Sequence, residues 1–97
     1  MKTIVMSLGG SIIVPDKIDV EFLKKFRKVI LNFVSKGNKV IIVTGGGRTC
    51  RVYQEASRKI IKTSDIDLDW VGIKATMLNA QIVKAIFGDK ALLIGDP

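Results

Sequence analysis

The sequence predicts an α/β fold: a mostly parallel sheet with helices on both faces. Three observations lead there. Short apolar, β-branched runs alternate with segments whose apolar residues recur at helical spacing. Two of those runs end in adjacent glycines, "SLGGS" at 7–11 and "TGGGR" at 44–48. Strands separated by helices connect through right-handed β-α-β crossovers, which lay them parallel.

The elements follow in order. Residues 2–8 are β-branched and apolar and read as a strand; a second short run, Ile12 to Val14, stops at Pro15-Asp16 and reads as another. From Asp19, a plausible N-cap, Phe22, Leu23, Phe26, Val29, Ile30, Phe33 and Val34 mark a helix, which Gly37 is placed to end in left-handed geometry. Lys39 to Thr44 is a strand, apolar enough to be covered on both sides. The helix after the glycines puts Val52, Ala56 and Ile60 on one stripe. An acidic connector, Ser64 to Asp69, leads to a further helix with Val71, Ala75, Leu78, Ile82 and Ile86 on one side, broadened by Trp70, Ile73 and Met77. Gly88-Asp89 breaks it, and Lys90 to Ile94 is expected as a last strand. At most four strands leave a large apolar face open. The expectation is therefore an incomplete sheet: the front part of a longer protein, or a chain whose partner covers that face.

Composition narrows the function classes. With 47% apolar and 26% charged residues, the 97-residue chain reads as one globular domain. No apolar run approaches the roughly 20 residues of a membrane span, and no signal-peptide pattern precedes the first strand, so no membrane partner is expected and the cytoplasm is the expected compartment. One cysteine and no histidine exclude an internal disulfide and a Cys/His zinc site. The net charge of +7 is uneven: residues 1–64 hold thirteen Lys/Arg against four Asp/Glu, residues 65–97 three against five. A basic half implies an anionic partner, although Lys24, Lys25, Arg27, Lys28 and Lys36 read as the wet side of a helix.

The two glycine turns carry the chemistry. Ligands of open parallel sheets collect at the carboxyl ends of strands. If the two strands are neighbours, both turns open on one rim and present backbone N–H groups outward; the helix after the second adds its positive end. Arg51, four residues past Gly47, stands one turn above and can fork onto phosphate oxygens. Neither turn is a P-loop or a full G-x-G-x-x-G, and either alone reads equally as a tight turn. The pair, with Arg51 in phase, points to phosphate.

"SLGGSIIVPD", "VTGGGRTCRVYQEA" and "DWVGIKATMLNA" at 69–80 together resemble the amino-acid kinase family, and within it the archaeal uridylate kinase branch. The resemblance spans nearly the whole chain and implies an αβα sandwich. It implies transfer of a phosphoryl group from ATP to UMP, in pyrimidine nucleotide biosynthesis, with Mg²⁺ held by the nucleotide phosphates rather than by a protein metal site. Residues 1–97 would be the amino-terminal, acceptor- and phosphate-binding part of the kinase domain. The adenine pocket would lie in a carboxyl-terminal part absent here, so this stretch alone is expected to turn over little UMP. By the same resemblance Ser7, Leu8, Gly9, Gly10, Ser11, Gly47 and Arg51 would contact ATP, and Gly46 and Asp69 would contact UMP. The residue-level alternative for Asp69 is an N-cap. The resemblance also implies a homo-oligomer, dimer or hexamer, for the complete protein.

Two departures matter. Many family members carry lysine two positions before the first Gly-Gly, where this chain has Ser7; Lys2, Lys17 and Arg48 are unranked candidates for the main cation. Thr44 precedes the central glycines where isopentenyl phosphate and many acetylglutamate kinases place histidine, which counts against both. Other residues have plainer readings: Cys50 as a small filler, Trp70 as an anchor of the broad helix face, Phe22, Phe26 and Phe33 as core. Asn79 reads as a buried hydrogen-bonding residue or one at a subunit contact. The rival functions are a related kinase with another acceptor, a non-catalytic relative, and a basic nucleic-acid-binding module, the last disfavoured because its aromatics sit at core spacing.

Overall fold

The computed structural model describes residues 1–93. Strand β1 (Thr3–Leu8) is followed by the single-turn helix α1 (Gly10–Ile13), helix α2 (Val20–Ser35), strand β2 (Lys39–Thr44), helix α3 (Gly47–Ile60), helix α4 (Asp65–Phe87) and a 3₁₀ turn at Gly88–Lys90. β1 and β2 pair in parallel, in register from Thr3–Lys39 to Leu8–Thr44. The α/β class is thus as expected, with two strands among the described residues.

The core forms where α2 and α4 cross one face of this sheet. Leu8, Ile13, Val14, Leu23, Phe26, Ile30, Val83 and Phe87 are buried together, with Met6, Val40 and Ile42 packed against them. Phe26 meets Phe87 edge-on at a centroid distance of 6.2 Å and stacks on Phe22 at 5.7 Å, geometries that suit the ring quadrupole. Arg27, on the wet side of α2, donates from Nε to the Ile86 carbonyl at 2.7 Å and ties the two helices. Because side chains alternate along a strand, the opposite face carries Val5 and Val43, both more than half exposed. Among the described residues β2 is therefore covered on one side and not, as its composition suggested, on both.

Local signals explain the element ends. Asp19 caps α2, its Oδ1 accepting from Phe22 N at 3.0 Å. Gly37, at φ +88°, ends that helix, its amide bonded to the Val34 carbonyl. Ser64 caps α4 by accepting from Asp67 N at 3.2 Å. Among the described residues no helix is long and apolar enough to cross a membrane.

Several expectations need correction. Ile12–Val14 is not a strand: Ile12 and Ile13 donate to the Gly9 carbonyl and Val14 to that of Gly10, so these amides are satisfied within one turn, and Ile13 is fully buried. The acidic connector is the first turn of α4, where Asp65 and Asp67 favour the positive helix end. The buried row of α4 is Ala75, Asn79, Val83 and Phe87, while Leu78 and Trp70 are exposed. The difference arises because the amino-terminal half of α4 leaves the core and pairs with α3. On α3 the stripe Val52, Ala56 and Ile60 is exposed, since Gln54 turns toward α4 and Ser57 toward Thr63 instead. Phe33 is only half-buried. Lys90 closes the 3₁₀ turn and Ala91–Leu93 form no ladder; Ile94 lies outside the described residues.

Asp19→Ala removes the α2 cap and is expected to lower stability by about 1 kcal/mol. Urea denaturation checks this, and an unchanged midpoint would mean the cap carries no weight.

Candidate functional site

The register of the sheet decides where the glycine turns go. Leu8 pairs with Thr44 at the carboxyl ends of two parallel strands, so the turns that follow open on one rim, side by side. They do more than neighbour each other. A Cβ added to Gly10 would collide with the Gly47 nitrogen and stand 2.6 Å from the Gly45 carbonyl oxygen; one added to Gly47 would collide with the Gly10 carbonyl group. The two backbones are in direct contact, and only residues without side chains allow it.

The second turn pairs a right-handed residue with one of positive φ. Gly46 is right-handed helical (φ −80°, ψ −36°) and Gly47 has φ +59°. In a turn, a residue of positive φ after a right-handed one is the pattern that gathers successive N–H groups into a concavity, or nest. Gly46 is also the N-cap of α3, so the first-turn amides, which have no intrahelical acceptor, face the same end.

Gly46, Gly47 and Arg51 line an open cleft of about 710 Å³. Its other wall is α4, which contributes Asp69, Gly72 and Thr76, three positions on one helical face. Gln54 fixes the two walls together: its Nε2 donates to the Leu68 carbonyl at 2.8 Å, beside Asp69. Cys50 lies between Gly46 and Gly72 and fills the floor. The Thr44 hydroxyl reaches the Thr76 carbonyl at 3.4 Å, tying the end of β2 to α4.

The sequence-derived site residues divide as follows. Gly46, Gly47, Arg51 and Asp69 share the cleft. Gly10 touches Gly47, and Arg51 reaches Ser11 Oγ from Nη2 at 3.5 Å, the outer limit of a hydrogen bond. Gly9 precedes that contact, at the rim. Ser7 and Leu8 are still in β1; the Leu8 side chain belongs to the core, which leaves only its backbone to the rim. Asp69 is in the second turn of α4, so it is not an N-cap; Ser64 is. Of the three cations, Lys2 precedes β1 at the opposite rim, about 20 Å away for a six-residue strand. Lys17 is exposed between α1 and α2, and Arg48 stands in the first turn of α3, beside the nest. Trp70 is exposed and does not line the cleft. Among the described residues no three His, Cys, Asp or Glu side chains converge on a point.

Sequence reasoning missed Gln54, Gly72 and Thr76. A signal was present: Gly47, Arg51 and Gln54 recur at helical spacing, as do Asp69, Gly72 and Thr76. Two small or polar stripes facing each other make a cleft rather than a core.

The model of the amino acid kinase family matches residues 2–96. The chain is 46% identical over 79 residues to the uridylate kinase of Thermoplasma acidophilum, covering 81% of this chain and 33% of that protein. To the uridylate kinase of Pyrococcus abyssi it is 39% identical over 88 residues, covering 91% and 38%. The crystal structure of uridylate kinase from Archaeoglobus fulgidus superposes with a TM-score of 0.73 at 32% identity, over 97% of this chain and 42% of that one. The chain thus spans between a third and two-fifths of the length of the curated relatives it matches.

Gly10→Ala and Gly47→Ala are each expected to destabilise the fold by about 1–3 kcal/mol or more. Gly9→Ala, with φ −58° and a Cβ that would meet Ile12 only at 3.8 Å, should stay within about 0.5 kcal/mol. Thermal denaturation of the three variants checks the contrast; equal effects would mean the two turns do not touch.

Proposed function

Because the chain belongs to the amino acid kinase family, we propose that it is the acceptor- and phosphate-binding part of a UMP kinase, which converts ATP and UMP to ADP and UDP. One observation carries the reading: two glycine turns meet backbone to backbone on one rim, and the nest they frame shares a cleft with Arg51 and Asp69.

Phosphoryl transfer asks a protein mainly to position two anionic groups in line and to offset their repulsion. In this reading the Gly46 amide receives the phosphate of UMP, while the Gly47 amide and the start of α3 receive phosphate oxygens of ATP, onto which Arg51 forks from one turn above. The turn Ser7–Ser11 borders the same anion from the β1 side, where ATP would enter. Arg48, beside the nest, is better placed than Lys2 or Lys17 to supply further positive charge. Asp69, on the far wall, suits a pair of hydroxyl donors such as those of a ribose, since a carboxylate accepts two hydrogen bonds at once. That division puts the sugar of UMP against α4 and its phosphate against the nest.

Asp69 is the only carboxylate among the described residues of the cleft, so these residues do not form a metal cage. Mg²⁺ would arrive on the phosphates of ATP. The adenine pocket would be supplied outside residues 1–97. The complete enzyme is proposed to be a cytoplasmic homo-oligomer, and the exposed apolar residues Val52, Ile60 and Ile66 of α3 and α4 offer contact area.

Thermal-shift titration of the full-length protein with UMP, CMP, AMP and small carboxylates tests the acceptor; UMP should stabilise most. Asp69→Asn should raise the KM for UMP roughly tenfold or more, as expected for hydrogen bonds to a charged group, and leave the KM for ATP little changed. A larger shift with a carboxylate acceptor, or an Asp69→Asn effect confined to ATP, would contradict the assignment.

A further inference from the structure

Among the described residues Asn79 is the only buried polar side chain, 3% exposed. It occupies the α4 row Ala75–Asn79–Val83–Phe87, where an apolar residue would complete the core stripe. Burying an amide is costly unless it is hydrogen-bonded, and here it is bonded to one thing only. Its Nδ2 donates to the Gly45 carbonyl at 2.8 Å and to the Gly46 carbonyl at 3.1 Å. Two acceptors at one side-chain atom also fix the orientation of the amide, since only the NH₂ group can face them.

These two bonds have a consequence for the other side of the loop. The chain has no cis peptide bond. In a planar trans peptide the carbonyl and the following N–H point in opposite directions. Drawing the Gly45 and Gly46 carbonyls toward α4 therefore turns the Gly46 and Gly47 amides away from it. The Gly47 nitrogen lies against Gly10, at the rim where the two turns meet. Three consecutive glycines are also the backbone least able to hold a conformation unaided. The Gly46 carbonyl is also held by α3, accepting from Cys50 N at 3.3 Å; for the Gly45 carbonyl the restraint comes from the Asn79 amide in the core behind it.

We propose that Asn79 is a positioning residue: it touches no ligand, and it orients the Gly46 amide toward the phosphate of the acceptor. The proposal rests on the phosphate-binding reading given above. It makes the binding increment due to phosphate, rather than nucleoside binding, the property that depends on Asn79.

The test compares UMP with uridine by calorimetry on the full-length protein, as wild type, Asn79→Ser and Asn79→Asp. Wild type should bind UMP more tightly than uridine. Asn79→Ser, which keeps a shorter donor, should narrow that ratio, and Asn79→Asp, which sets a carboxylate against two carbonyls, should narrow it roughly tenfold. Uridine affinity should stay within about twofold in both. Equal weakening of both ligands, or an unchanged ratio, would overturn the proposal and leave Asn79 a core residue only. A wild type that does not distinguish UMP from uridine would instead overturn the phosphate-binding reading, and this inference with it. If neither variant folds, amide NMR of the wild type decides. The Asn79 side-chain NH₂ and the Gly46 N–H signals should shift together with UMP and not with uridine; movement of Asn79 without Gly46 would refute the coupling.

Discussion

The contact between Gly10 and Gly47 is the constraint on which the site depends. Two parallel strands are held about 4.8 Å apart by their ladder, and the chains leaving them must diverge unless neither carries a side chain. Here they stay together. Each turn then passes into a helix, α1 beneath the core-facing Ile13 and α3 along the cleft. The same contact therefore sets the direction of α3, and with it the distance from Arg51 to Ser11 and the width of the cleft opposite Asp69.

Around that contact the structure separates rigidity from access. Below the rim, α2 and α4 share a core in which Phe26 and Phe87 meet. Above it, α4 continues past the core for three turns and serves as the far wall of the cleft, braced by Gln54 on Leu68 and by Thr44 on Thr76. Asn79 sits at the changeover between these two halves, which is why a polar residue interrupts the apolar row. One long helix thus joins the packing of the domain to the geometry of the cleft.

Much of this was legible from the residues alone. Asp19, Gly37 and the run Lys39–Thr44 announced their elements because each depends on local chemistry: a cap, a positive φ, a β-branched stretch. That the paired glycine turns share one rim was legible because each follows a strand at the same distance, and the place of Arg51 in the cleft because it follows Gly47 by one turn. What failed was tertiary. Ile12–Val14 has strand composition, yet its amides find nearer partners at Gly9 and Gly10. The stripe on α3 was misjudged because periodicity shows which residues share a face and not what that face meets. Asn79 stood out as polar among apolar neighbours, but its partners lie more than thirty positions away, at a separation no spacing rule reaches.

A crystal structure of the full-length protein with UMP and a non-hydrolysable ATP analogue tests the central claim most directly. The account predicts the UMP phosphate within hydrogen-bonding distance of the Gly46 amide with Asp69 on its ribose, and ATP phosphate oxygens on the Gly47 amide and Arg51. Phosphates bound at the opposite end of the strands, or the Gly46 and Gly47 amides turned away from them, would contradict it.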